Sequence, residues 1–262
     1  MTGPPAEIVE ALRRLDALTR RLRVECPWDR EQDERTIVPH TVEEAYELAD
    51  AANAGDDAKL RDELGDVLFQ VHFLSLLLEE RGAGDMAQVA EHVRQKLIRR
   101  HPHVFGDVEA HHAEEVLRNW DAIKQGEPGR EQGIFGEVPE NLPALLHARK
   151  VQRRAASSGF DPADAQTALE GVAAQAGALA AAGEDREARF AAVGDLLFAA
   201  VNVARKLKVD PELALRSSSA RFRDRIEAAE RLAEADGAAW GDLSEERRFG
   251  YYARAALDQA QE

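Results

Sequence analysis

The sequence predicts an all-α protein built from two similar helical halves. Ala, Leu, Glu and Arg dominate, while aromatic residues make up only 6% of the chain, a composition that favours helices and leaves few β-branched runs. Gly and Pro cluster in residues 126–143, which predicts a linker near the middle. We therefore expect almost no sheet, with helical domains at 1–125 and 144–262.

Matching blocks in the two halves indicate an internal duplication. The sequence LGDVLF at 64–69 corresponds to VGDLLF at 193–198, and the Ala-Gly-acid-acid loop at 54–57 corresponds to 182–185. Trp28-Asp29 also corresponds to Phe160-Asp161. Because three matches follow in the same order at similar offsets, we interpret the chain as a tandem repeat of one helical bundle.

The first helices are predicted from apolar spacing and from capping signals. Residues 8–24 have helical spacing, and CPWD at 26–29 interrupts it. Thr41 is predicted to be the N-cap of a helix over 42–52, because Glu44 three positions later completes a capping-box pattern. Residues 53–57 are predicted to form the turn after it.

The strongest helix is predicted over 60–80. It is apolar nearly all round, so we expect it to be central and buried. Helices at 86–100 and 113–124 complete the unit, and short loops between antiparallel helices predict a bundle. Helix faces that are apolar on two sides also predict self-association, with four-helix bundles completed in a homodimer.

Charge and cysteine content exclude several classes of function. A formal net charge of −15 argues against non-specific binding to nucleic acid or to an anionic membrane, which requires clustered Lys and Arg. The first residues lack the pattern of a signal peptide, and no apolar stretch reaches membrane-spanning length. A lone Cys26 suits a reducing compartment, so we expect a cytoplasmic protein. We expect it to bind neither nucleic acid nor a membrane.

Carboxylates at regular spacing form the candidate reactive site. Glu44 and Glu47 share one helix face, as do Glu63 and Asp66, since both pairs are three residues apart. The turn between the two helices would bring the pairs opposite each other. Four carboxylates there would repel one another and lose hydration, so a cation is expected between them.

An oxygen-only ligand set favours a hard cation, and Mg²⁺ is usual where phosphates supply further ligands. The alternative is that the acidic string at 43–47 is an ordinary solvated helix face. Glu63 and Asp66 fit that alternative less well, because they lie within an almost wholly apolar helix. The joint pattern therefore favours a metal site.

These residues resemble a known family. The pattern of Glu43 to Asp66 is similar to the EExxE…ExxD signature of the all-α nucleoside triphosphate pyrophosphatases. The blocks CPWD (26–29), LGDVLFQ (64–70), RRHPHVF (99–105) and Trp120-x-x-x-Lys124 resemble the MazG family in particular, and the resemblance covers essentially the whole chain. It implies Mg²⁺-dependent hydrolysis of nucleoside triphosphates to monophosphates and pyrophosphate on a helical dimer, in the housecleaning or regulation of nucleotide pools, with Mn²⁺ as a possible substitute.

Roles for individual residues follow from the resemblance. It implies that the metal ligands are Glu44, Glu47, Glu63 and Asp66. Glu43 is interpreted either as the group that holds or deprotonates the attacking water or as a surface acid. The residues implied to bind the triphosphate are Lys96, Arg99 and Arg100, which otherwise only complement a helix end, and Lys124, which would reach a phosphate. Trp28 is interpreted either as stacking on the base or as a core aromatic at a helix end. His101 and His103 are interpreted as structural, because no further zinc ligands of suitable spacing accompany them.

The second half departs from the pattern. It keeps Asp195, but Ala192 stands where Glu63 has its counterpart, and residues 171–183 contain no carboxylate. Glu184 and Glu187 fall in the predicted turn. We therefore predict that the second bundle is catalytically silent. Two other hypotheses remain open for the whole chain: a regulatory protein that binds a nucleotide or alarmone without turnover, and a purely structural helical oligomer.

Overall fold

The computed structural model describes residues 5–127, 133–136 and 138–259. Within that part of the chain it contains twelve α-helices, one 3₁₀ turn and no strand, which confirms the predicted all-α fold. The contacts group the chain into two compact units, Met1–Gln132 and Gly133–Glu262. The boundary between them falls within the segment that the sequence assigns to a linker.

The first unit contains seven helices. They are α1 (Ala6–Glu25), α2 (Pro27–Glu31), α3 (Glu34–Ala54), α4 (Asp57–Glu80), α5 (Met86–Arg100), α6 (Pro102–Phe105) and α7 (Ala113–Gln125). The helices predicted over 8–24, 60–80, 86–100 and 113–124 are therefore confirmed. The core of this unit joins α3 to α4, where Ile37, Phe73 and Leu77 are buried against each other, with Phe69 and Leu74 packed around them.

The predicted start of α3 at Thr41 is wrong. The side chain of Asp33 accepts hydrogen bonds from the backbone of Arg35 and Thr36, and the Thr36 hydroxyl accepts one from the backbone of Asp33. This capping box starts the helix at Glu34, and Pro39 lies inside it. Thr41 instead donates its hydroxyl to the carbonyl of Ile37, a bond typical of a helix interior.

The burial expected for α4 is found on only part of its surface. Gln70, Phe73 and Leu77 are buried, whereas Leu64 is 52% exposed and Val71 is 37% exposed. Among the described residues, α1, α3 and α5 make the principal contacts with α4. Three neighbouring helices leave one side of α4 uncovered. The prediction that α4 is buried on all sides is therefore wrong for the single chain.

Ion pairs fasten α1 to the end of α4. Arg20 pairs with Glu79 at 2.7 Å, and Arg23 pairs with Glu80 at 2.8 Å. Arg23 also donates to the backbone carbonyls of Asp29 and Gln32. Its guanidinium thus ties α1 to α2 and α4, and its hydrogen bond lowers the pKa of Glu80.

The second unit contains α8 (Ala144–Ser157), α9 (Ala165–Ala181), α10 (Arg186–Lys206), α11 (Pro211–Ala235), a 3₁₀ turn (Trp240–Asp242) and α12 (Glu245–Gln259). Its α9–α10 hairpin resembles the α3–α4 hairpin. Gly55 and Gly183 have φ angles of +70° and +61° in the two turns, a conformation that glycine adopts at least cost. The side chains of Asp56 and Asp185 then cap the following helices. This likeness is what a duplication would produce.

None of the helices in the described part of the chain combines the length and the hydropathy that crossing a bilayer requires.

Candidate metal and phosphate site

The α3–α4 hairpin carries all four predicted metal ligands. Glu44 and Glu47 lie on α3, while Glu63 and Asp66 lie on α4. The turn between the helices is only two residues long, because α3 continues to Ala54 and α4 begins at Asp57. So short a turn makes the helices antiparallel neighbours, and both carboxylate pairs lie roughly two to three helical turns from it.

Three of these carboxylates converge. One oxygen from each of Glu44, Glu63 and Asp66 lies within 4.8 Å of the other two. Glu63 is buried, with 5% of the residue exposed, Glu44 is half-buried and Asp66 is exposed. The acidic group therefore reaches from the interior of the hairpin to its surface. Glu47 is exposed and lies outside this closest group.

The electrostatics link Glu47 to the same group. Burial raises the pKa of Glu44, and the negative charges of Asp66, Glu47 and Glu63 raise it further. Burial also raises the pKa of Glu63, with a contribution from Glu47 that is opposed by Lys59. Glu47 is thus close enough to be felt by carboxylates on both helices.

The chemistry of the donors fits a hard divalent cation. All the converging atoms are carboxylate oxygens, the ligands that Mg²⁺ and Mn²⁺ prefer. Within the described residues, the Glu63 carboxylate forms no hydrogen bond or ion pair that would offset its burial. A buried carboxylate among like charges is costly unless a cation neutralises it, so these residues are suited to holding one.

Glu43 and Trp28 lie beside this group rather than in it. Glu43 is exposed, and its carboxylate lies 3.2 Å from Nδ1 of His40. The ring of Trp28 meets the His40 ring edge-on, with centroids 5.9 Å apart. His40 was not among the predicted site residues, although its position three residues before Glu43 on the same helix could have suggested the contact.

The predicted phosphate-binding cations lie at a separate cleft. Lys96, Arg99 and Arg100 line a cleft of about 570 Å³ together with His92, Ile123, Gly126 and Glu127. These residues belong to α5 and to the end of α7, so none of the hairpin carboxylates contributes to its lining. The structure brings the three cations together and does not bring them into contact with the acidic group.

A carboxylate that the sequence analysis missed occupies this cleft. Glu127 accepts hydrogen bonds from the guanidinium groups of both Arg99 and Arg100. No pattern in the sequence pointed to it, because it lies in the Gly- and Pro-rich segment assigned to the linker. Lys124 is half-buried on α7 and is not among the residues that line the cleft.

The two histidines after α5 have packing contacts. His101 ends α5, and its Nδ1 lies 2.6 Å from the carbonyl of Leu97. Its ring packs edge-on against Trp120 at 5.0 Å, and His103 lies 5.4 Å away. Arg100 lies over the same Trp120 ring at 5.3 Å. These contacts support the structural interpretation of both histidines.

The second unit has no comparable acidic group within the described residues. Asp195 is exposed on α10, where Ala192 occupies the preceding turn of the helix. Glu184 lies between α9 and α10, and Glu187 lies in the first turn of α10. The pair is therefore at the turn, as the sequence predicted, and too close to Ala192 to replace the missing ligands.

The sequence of the chain is similar to those of a protein family and of several curated proteins. Residues 32–105 match the family model described as the MazG nucleotide pyrophosphohydrolase domain. The chain is 38% identical to the nucleoside triphosphate pyrophosphohydrolase/pyrophosphatase MazG of Thermotoga maritima, over 88% of this chain and 89% of that protein. It is 40% identical to the nucleoside triphosphate pyrophosphohydrolase of Escherichia coli, over 81% of this chain and 83% of that protein. The family match spans α3, α4 and α5, which carry the acidic group and the cations.

Proposed function

Since the chain belongs to the MazG family, we propose that it hydrolyses nucleoside triphosphates to monophosphates and pyrophosphate in a Mg²⁺-dependent reaction. The observation that carries this proposal is the convergence of Glu44, Glu63 and Asp66 to within 4.8 Å. The names of the relatives support the substrate class. Acting on free nucleoside triphosphates, the activity would serve the housecleaning or regulation of nucleotide pools.

The acidic group would hold the metal. Glu44, Glu63 and Asp66 supply the converging oxygens, and Glu47 is the fourth ligand in this proposal because its charge acts on both helices. When bound, Mg²⁺ polarises phosphoryl oxygens and lowers the pKa of water. Mn²⁺ would substitute, since it accepts the same oxygen ligands.

The chain's own residues would orient the reactants. Water attacks the α-phosphorus, and the bond to the bridging oxygen breaks as pyrophosphate leaves. Glu43 would hold or deprotonate that water, and its proximity to His40 at 3.2 Å would keep its carboxylate oriented. The alternative is that Glu43 is a surface acid, which its exposure also allows.

The cations would neutralise the triphosphate. Lys96, Arg99 and Arg100 are gathered at one cleft of the same unit, and guanidinium groups match phosphate oxygens in pairs. Trp28 is exposed, so its face is accessible for stacking on a base. Lys124 would reach a phosphate from α7.

Hydrolysis is tested with two matched aspartate variants. Purified chain is incubated with each of a panel of triphosphates, with and without Mg²⁺, and phosphate is measured after inorganic pyrophosphatase is added. We expect Asp66→Asn to lose more than roughly 100-fold of the activity, since even groups that only orient metal ligands contribute about 10–100-fold. Asp195→Asn, the equivalent change in the second unit, should retain it.

Two results would contradict the proposal. If wild-type protein released no pyrophosphate from any triphosphate but was stabilised thermally by Mg²⁺ plus nucleotide, the chain would bind without turnover. If Asp195→Asn were inactive and Asp66→Asn active, the assignment of the reacting unit would be reversed.

A further inference from the structure

Glu127 contacts both arginines of the cleft lined by Lys96, Arg99 and Arg100, here called the basic cleft, through both of its carboxylate oxygens. Its Oε1 accepts from Nε and Nη2 of Arg99 at 3.1 and 2.9 Å, and from Nε of Arg100 at 3.0 Å. Its Oε2 accepts from Nη2 of Arg100 at 2.5 Å. Four charge-assisted hydrogen bonds therefore converge on a single carboxylate.

This arrangement is partly withdrawn from water. The side chain of Arg100 is 6% exposed and that of Glu127 is 11% exposed, while Arg99 remains on the surface. Arg100 also rests on the ring of Trp120, so its guanidinium is held in one orientation. The two arginines thus form a preorganised anion site, and Glu127 is the anion that occupies it in this structure.

Among the described residues, the charges that line the cleft do not balance. Lys96, Arg99 and Arg100 supply three positive charges, and Glu127 is the single carboxylate among the lining residues. In the part of the chain that the structure describes, Lys96 forms no ion pair. A triphosphate, which carries several negative charges, would complement the cleft better than one carboxylate does.

A carboxylate and a phosphate both accept hydrogen bonds from the same pair of N–H donors in a guanidinium fork, so both cannot occupy it together. We propose that Glu127 is an internal competitor for the phosphate-binding arginines, which lowers the affinity for triphosphate and must withdraw when substrate binds. This inference rests on the proposed role of the cleft. It adds a residue that sets substrate affinity without being part of the catalytic machinery.

The position of Glu127 allows such a withdrawal. It follows the last residue of α7 and the C-cap Gly126, so its side chain can move without breaking bonds inside the helix. The apparent affinity equals the intrinsic affinity multiplied by the fraction of molecules in which the site is open. If Glu127 occupies the site nine times in ten, its removal would strengthen binding about tenfold.

The competing interpretation is a structural ion pair. In that case Glu127 would hold Arg99 and Arg100 in place for the substrate, and its loss would weaken phosphate binding. The two interpretations predict changes of opposite sign. A binding measurement therefore separates them even if a variant is somewhat less stable.

The test is calorimetric titration of inorganic tripolyphosphate, without metal, into the full chain and its variants. Glu127→Gln removes the charge and keeps the shape, and Glu127→Asp keeps the charge with a shorter reach. Glu109→Gln is the matched control, since Glu109 is an exposed acid of the same unit and its substitution changes the net charge equally.

We expect Glu127→Gln to bind tripolyphosphate roughly tenfold more tightly than wild type. Glu127→Asp should lie between the two, and Glu109→Gln should match wild type. In steady-state assays Glu127→Gln should lower KM for the triphosphate. Should Glu127→Gln fail to fold, the expected gain in Glu127→Asp alone decides the matter.

Equal or weaker binding by the Glu127 variants would overturn the inference, as would an equal gain in Glu109→Gln. Because the titration needs neither metal nor turnover, its result is separate from the proposed hydrolysis. If the Glu127 variants bind tripolyphosphate more tightly but the chain hydrolyses no triphosphate, this inference is upheld and the proposed hydrolysis is rejected. If the wild type hydrolyses triphosphates but the variants bind no more tightly, the proposed hydrolysis is upheld and this inference is rejected.

Discussion

At the scale of single residues, the acidic group is a source of instability in the metal-free protein. Glu44, Glu63 and Asp66 converge on one another, and both glutamates have pKa values raised by burial and by neighbouring negative charge. The folded state keeps these like charges together, whereas the unfolded state separates them. Their repulsion therefore destabilises the folded state more than the unfolded state. Such strain at a reactive site is expected when a ligand later offsets it.

Glu63→Gln tests this balance. The amide keeps the shape of the side chain and removes one of the mutually repelling charges, so we expect the Tm of the metal-free protein to rise. Added Mg²⁺ should raise the Tm of wild type, because an ion that binds only the folded state stabilises it, and should leave Glu63→Gln almost unchanged.

Thermal melts with and without Mg²⁺ provide the measurement. Glu230→Gln is the control, since Glu230 is exposed on α11. This substitution removes the same charge at a position far along the chain from Glu63. A lower Tm for metal-free Glu63→Gln, or a full response of that variant to Mg²⁺, would rule out this account.

The sequence reveals the acidic residues more readily than their partners. Glu44, Glu63 and Asp66 could be predicted because spacing along two helices fixes which side chains share a face. Glu127 could not, because its contact with Arg99 and Arg100 joins α5 to a residue beyond the end of α7. Helical periodicity carries no information about residues outside a helix.

At the scale of elements, α3 shows how local capping overrides a breaker. The sequence suggested a start at Thr41 because Glu44 completes a capping-box pattern with it, and Pro39, which cannot donate a backbone hydrogen bond, lies just before that position. The capping box of Asp33 and Thr36 nevertheless starts the helix a turn and a half before that proline. Packing of Ile37 into the core then stabilises this first part of α3, which propensity alone would not predict.

Pro39 should therefore cost stability that another residue would not. It is exposed in the interior of α3, so replacing it loses little packing and restores a backbone donor for the carbonyl of Arg35. We expect Pro39→Ala to raise the free energy of unfolding by about 1–3 kcal/mol, measured by urea denaturation.

Pro211→Ala is the matched control for that change. Pro211 stands in the first turn of α11, where a helix does not need the missing donor, so this variant should gain nothing. No gain in Pro39→Ala, or an equal gain in both variants, would show that the proline is compensated by contacts around it.

At the scale of the whole molecule, the exposed side of α4 gives the predicted self-association a location. Leu60, Leu64, Val67 and Val71 recur at helical spacing, and the two with the greatest exposure are Leu64 and Val71. Apolar residues repeated in this way are typical of a helix that packs against a partner.

The homodimer is tested by placing a charge within this stripe. Val71→Lys puts an ammonium group where an apolar partner would have to bury it, at a cost that should weaken a dimer at least about 100-fold. Val71 is five residues beyond Asp66, so the new charge lies more than a helical turn from the nearest proposed ligand.

Val24→Lys is the control, because Val24 is an exposed valine of α1 outside the stripe. Sedimentation equilibrium at micromolar concentration should give twice the mass of one chain for wild type and Val24→Lys, and one chain for Val71→Lys. A wild-type monomer would reject self-association itself, whereas a dimer that survives Val71→Lys would place its interface on another face.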